Sequence, residues 1–168
     1  MRRLLRLYRP FSVALAIVLA ALALRPAAGM LREDENPRDK AVLDDVATTE
    51  VIGDVSTSLG KVFAYTPDGV AATEQAAARE LSGAALKQYR RVFGQVKAQV
   101  AAQRVTLTTR VVRAGVVSLD GDAARLLVFL DQTATRGGKP DGTPAAAQLL
   151  VTAHRDHGHW SITELKSV

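Results

Sequence analysis

Apolar residues recur at steps of three or four through Leu43, Ala47, Val51, Val55, Leu59 and Val62. That spacing is the stripe of a helix with one buried face. Asn36 as a cap, Pro37 at the first helical position and Asp39 near the positive end of the dipole predict its start. Gly53 and Gly60 weaken it and predict a kink or an early end. "TPDGV" at 66–70 predicts a turn, with Pro67 presetting φ and Gly69 accepting a positive one. A short helix is expected from about Val70 to Leu81, where Ser82-Gly83 punctuates it. Leu86, Tyr89, Phe93, Val96 and Val100 then share one face of a further helix that runs to about Gln103.

From Val105 the period drops to two. Val105, Leu107, Thr109 and Val111 alternate with polar or small neighbours, a half-buried strand that continues to Leu119. Asp120-Gly121 predicts a two-residue hairpin turn, and "ARLLVFLDQTAT" returns as the second strand. "RGGKPDGTP" (136–144) is rich in glycine and proline and predicts a loop. "AAAQLLVTAHR" and "HWSITELKSV" form a second hairpin around Asp156-His157-Gly158. Three helices followed by a four-stranded antiparallel meander predict an α+β domain, its helices packed on one face of a curved sheet.

Charge divides the chain in two. The formal net charge is +5, but Arg2, Arg3, Arg6, Arg9 and Arg25 lie in the first 31 residues, which hold no acid. Seventeen basic and 17 acidic residues remain downstream, so the basicity does not describe a nucleic-acid-binding face. It flanks "FSVALAIVLAALAL" (11–24), an uncharged run. Two readings of that run stand. As an anchor it spans the inner membrane, lengthened by Leu4, Leu5, Leu7 and Tyr8 upstream with their arginines at the head groups. As a cleaved signal it ends at the small residues Ala27-Ala28-Gly29. Either way the arginines place the N-terminus in the cytoplasm and export the chain beyond residue 31. The expected division is a basic tail at 1–9, a transmembrane or signal segment at 10–31, a linker at 32–37 and one extracytoplasmic domain at 38–168. Cysteine is absent, which rules out disulfide and thiolate chemistry.

The segments "RVVRAGVVSLDGDAARLLVFLDQTAT" and "HRDHGHWSITELKSV" carry a resemblance, with Phe129, Asp131 and Gln132 in "VFLDQT" and Trp160 in the last strand as its signature. "SGAALKQY" (82–89) is similar to the helix start that precedes the sheet. The chain resembles the cone-shaped fold shared by nuclear transport factor 2 and ketosteroid isomerase, and within it the Mce-associated membrane proteins of actinobacteria. The resemblance implies a single-pass inner-membrane protein with a non-catalytic, accessory role beside a multi-subunit lipid importer. Its implied partners are Mce transporter membrane subunits and the lipid bilayer, in a homo- or hetero-oligomer, without nucleic acid. The family brings no catalytic, cofactor or metal residues, so none are assigned. Two alternatives remain open: a type IV secretion-like periplasmic scaffold, and a secreted isomerase-like protein that uses the cone as a pocket.

Few residues suggest chemistry. His154, His157 and His159 are close in sequence, but Asp156 is the only acid beside them, and surface positions are expected. Asp131, at the end of an apolar strand, is either a buried base or an edge hydrogen-bonding group. Tyr65 and Asp68, before the second helix, either line a pocket mouth or, as expected of turn residues, stand in solvent. In "KQYRRVFGQVK" (87–97), Tyr89 and Phe93 share the core stripe while Lys87, Arg90, Arg91 and Lys97 face solvent or anionic lipid head groups. Trp160 is expected to anchor the core.

Overall fold

A computed structural model describes residues 45–137 and 142–168. The tail, the apolar segment in either reading, the linker, the helix start at 36–39 and Leu43 lie outside the described residues. Among those described, no helix is long and apolar enough to cross a membrane.

Three helices precede four strands. Helix α1 covers Asp45–Val62, α2 Val70–Glu80 and α3 Gly83–Ala102. Val51, Val55, Leu59 and Val62 are all buried, as their spacing predicts. Gly53 and Gly60 do not end α1, which continues past both. Each costs about 1 kcal/mol of helix propensity, which burial of the valine and leucine stripe outweighs. At the next turn the Gly69 N–H donates to the Thr66 carbonyl at 3.1 Å, and Gly69 takes φ −99° rather than the positive φ expected of it. Helix α2 stops at Glu80 because Leu81 turns extended and forms a parallel bridge to Ile162, where the Ser82 N–H donates to the Ile162 carbonyl at 2.9 Å. That contact fixes the helices against the last strand.

Strands β1 (Val105–Asp120), β2 (Ala123–Arg136), β3 (Thr143–Asp156) and β4 (His159–Ser167) form an antiparallel meander in sequence order. The first hairpin turn lies at Gly121-Asp122, one residue later than expected, because Asp120 still pairs with Ala123. Gly121 takes φ +54°, the conformation that a two-residue hairpin loop demands at its first position. In the last hairpin His157 (φ 50°) and Gly158 (φ 79°) both take positive φ between the Asp156↔His159 pair. Of the loop expected at 136–144, Arg136 belongs to β2, and Thr143 and Pro144 belong to β3, where they pair with Ala134 and Thr133. Proline is accommodated there because β4 pairs only with Leu149–Asp156, leaving Pro144 on an unpaired flank.

Two register shifts in β1, at Val112 and Val117, are bulges that bend the strand. The concave face buries Leu126, Val128 and Leu130 of β2, Leu149, Val151 and Ala153 of β3, and Trp160, Ile162 and Leu165 of β4. Helices α1 and α3 pack over β1 and β4, closing this face into one core.

Candidate functional site

Alternation along β2 decides where the signature residues point. Leu126, Val128, Leu130 and Gln132 turn inward, so Phe129 and Asp131 turn out. Gln132 is buried, and its Nε2 donates to Thr109 Oγ1 at 2.8 Å. The Thr109 hydroxyl donates in turn to the Phe63 carbonyl at 2.6 Å, tying β2 through β1 to the chain leaving α1. Trp160 is 1% exposed, part of the core cluster near the start of β4. The Arg155 guanidinium lies 5.5 Å from its ring and also reaches Asp122 (3.0 Å) and Glu50 (3.5 Å). Gln132 and Trp160 are therefore internal ties. Phe129 is 39% exposed on the convex face.

The reading of Asp131 as a buried base does not hold. Its side chain is exposed, and its partner is Arg110 across the strand pair at 3.4 Å. The reason is parity, because a residue between Leu130 and Gln132 faces away from their core. His154 likewise stands exposed on β3. Asp131→Asn and His154→Ala are each expected to change unfolding free energy by less than about 0.5 kcal/mol in urea titrations.

The histidines do not converge. His157 approaches Asp156 at 3.6 Å in the turn, and His159 reaches Glu80 at 3.8 Å. Among the described residues no three His, Cys, Asp or Glu side chains gather as a metal site would require. Tyr65 departs from its expected place in solvent. Its backbone exchanges both hydrogen bonds with Leu107, at 3.0 and 2.9 Å, and its ring enters the core 5.7 Å from Phe93. Phe93 stacks on Tyr89 at 5.2 Å. Burial raises the pKa of both tyrosine hydroxyls, so they stay protonated. Asp68, Lys87, Arg90, Arg91 and Lys97 lie outside the core, as expected of the polar face.

One buried charge has no counterpart among the sequence expectations. Glu80 is 5% exposed, accepting from the Ser58 hydroxyl at 2.6 Å and from Lys61 Nζ at 2.8 Å. Burial alone raises its pKa. Hydrogen bonds from Lys61 and Ser58, with the charges of Lys61 and His159, more than offset this and hold it below the usual carboxylate value. Thr73, Ala76, Ala77 and Glu80 share one face of α2, and all are buried. The cluster locks α1, α2 and β4 together.

The interior between sheet and helices is filled by Trp160, Leu126, Ile162, Val128, Leu59 and Val55. Outside, Leu127 pairs with Leu150 beside Phe129, an apolar strip on the convex face bordered by Arg113 and Gln148. What this geometry offers is surface.

No family model matches the chain. The fold is that of an IcmL-like type IV secretion system protein from Legionella pneumophila, with TM-score 0.61 and 10% identity over 71% of this chain and 91% of that one. The periplasmic domain of DotI gives 0.60 at 13% identity, over 71% and 94%. CagV, a VirB8 homolog from Helicobacter pylori, gives 0.58 at 11% identity, over 74% and 97%. These likenesses establish a nuclear transport factor 2-like α+β fold of the VirB8 type. Sequence similarity is higher to two proteins of Mycobacterium tuberculosis. The uncharacterized protein Rv1362c is 31% identical over 157 residues, 93% of this chain and 71% of the relative. The outer membrane protein Rv1973 is 31% identical over 150 residues, 88% and 91%. With that identity along nearly its whole length, the chain belongs to the protein family that contains Rv1362c and Rv1973.

Proposed function

We propose that the domain is a non-catalytic scaffold of an envelope transport assembly, held outside the inner membrane by its N-terminal segment. The observation that carries this reading is the shape match to VirB8-type domains, one of them a periplasmic domain by name. A core filled by large apolar side chains is consistent with it, because a ligand-binding cone keeps that volume open. In this reading the chain acts through its outer surfaces on neighbouring subunits. The short linker at 32–37 keeps the domain near the bilayer, which raises its effective concentration beside other membrane proteins.

The assembly it serves is, in this proposal, an Mce-type lipid importer. Support for it is the resemblance carried by the "VFLDQT" and Trp160 segments. A second reading, a scaffold of a secretion channel, is favoured by the fold match itself. Deleting the chain from its host separates them. The proposal expects reduced uptake of a labelled lipid with protein secretion intact. A secretion defect with normal uptake would select the second reading.

A further inference from the structure

Strand β1 is an edge of the sheet. Among the described residues its outer side is engaged only near its start, by Tyr65 at Leu107 and by Thr109 at Phe63. From Arg110 to Asp120 no described segment pairs with it on that side. Such a long open edge is a template for another strand.

We propose that this edge binds a second copy of the chain, β1 against β1 antiparallel, on a two-fold axis at Gly115. The pattern of the strand carries the assignment. Val111, Ala114, Val116 and Leu119 pack towards the core, while Arg110, Arg113, Gly115, Ser118 and Asp120 are exposed. Reversed about Gly115, the strand maps onto itself: Val111 falls opposite Leu119 and Ala114 opposite Val116. Inward positions meet inward positions, the parity that any strand pairing requires. Charge obeys the same symmetry, since Arg110 falls opposite Asp120 of the second copy, and the reverse.

The bulges fit this register. Val112 and Val117 are 54% and 59% exposed, large apolar side chains that the monomer leaves uncovered. In the pairing they face Ser118 and Arg113 of the second copy. Gly115 sits on the axis, where a side chain would meet nothing within 4 Å in the monomer. The ion pairs set register more than affinity, because exposed pairs contribute little. Backbone hydrogen bonds and covering of the valines supply the rest, and two four-stranded sheets become one. This inference is independent of which transport machine the domain serves.

The chain has no cysteine, so one introduced thiol reports without background. Residues paired on the axis of an antiparallel ladder have Cα atoms about 4.5–5.5 Å apart, within disulfide reach. Full-length chain carrying Gly115→Cys, in detergent under mild oxidant, is expected to become a covalent dimer. Ser118→Cys is the control, because its two copies lie roughly 20 Å apart in this register. Light scattering on chain without cysteine gives a second measurement: a dimer, weakened about tenfold by Asp120→Arg and restored when Arg110→Asp is added. Equal crosslinking at 115 and 118, a monomer at every concentration, or capture of only a different protein by Gly115→Cys would each overturn the proposal.

Discussion

Trp160→Ala is expected to cost about 3–5 kcal/mol, among the largest single losses available to this domain. The indole is 1% exposed within the core shared by sheet and helices, and the Arg155 guanidinium lies 5.5 Å from its ring. Removing it leaves a cavity that neighbours on two layers cannot close. Against a total of about 5–15 kcal/mol, such a loss brings a domain near unfolding at physiological temperature. Trp160→Phe should cost much less. The indole Nε1 is buried without a hydrogen-bond partner, so its removal breaks none. Urea unfolding of both variants measures the difference, with a fall in midpoint at unchanged slope for the alanine variant. Near-equal midpoints for Trp160→Ala and the parent chain would show that the core does not depend on this residue.

Glu80 is expected to give the second large effect. Glu80→Ala removes the acceptor of a buried Ser58 hydroxyl and the partner of Lys61, a loss of about 1–3 kcal/mol. Lys61 is half exposed and rehydrates easily, so the penalty falls mainly on Ser58 and on the packing around it. The carboxyl pKa is held below its ordinary 4.5 in the folded state, so folding favours the ionised form. Its contribution is complete above the unfolded value and is lost as pH falls through the folded one. Glu80→Gln should therefore flatten the decline in stability below about pH 5 while lowering stability at neutral pH. An acid profile for Glu80→Gln that parallels the parent chain would mean that the carboxylate is not coupled to folding.

These two residues also mark what the sequence discloses. Trp160 is legible because "HWSITEL" alternates and leaves one large aromatic on the inner face. The α1 stripe, the α3 stripe and the order of the four strands are legible for the same reason: each is a local period. Glu80 is not, because its partners come from α1 and β4 and a buried carboxylate has no local signature. For Asp131 the information is present in the chain but easily misread. Its place between Leu130 and Gln132 fixes it on the face opposite both, and Phe129 turns outward by the same rule. Tyr65 is hidden by its turn-like setting, since only the long-range pairing with Leu107 draws its ring inside. The bulges at Val112 and Val117 cannot be read at all, because they depend on the register of β2 rather than on β1 itself. Gly53 and Gly60 show the opposite error, a local weakness overridden by packing along the rest of the helix.

The surfaces that the core holds in place are where the proposed function must reside. In-cell crosslinking of the full-length chain in envelope membranes, with identification of the captured proteins, tests that function most directly. The expected capture is Mce-type membrane subunits, lost when residues 1–31 are deleted even though the remaining domain is made. Capture of secretion-channel components alone would contradict the lipid-import role and leave only the fold standing.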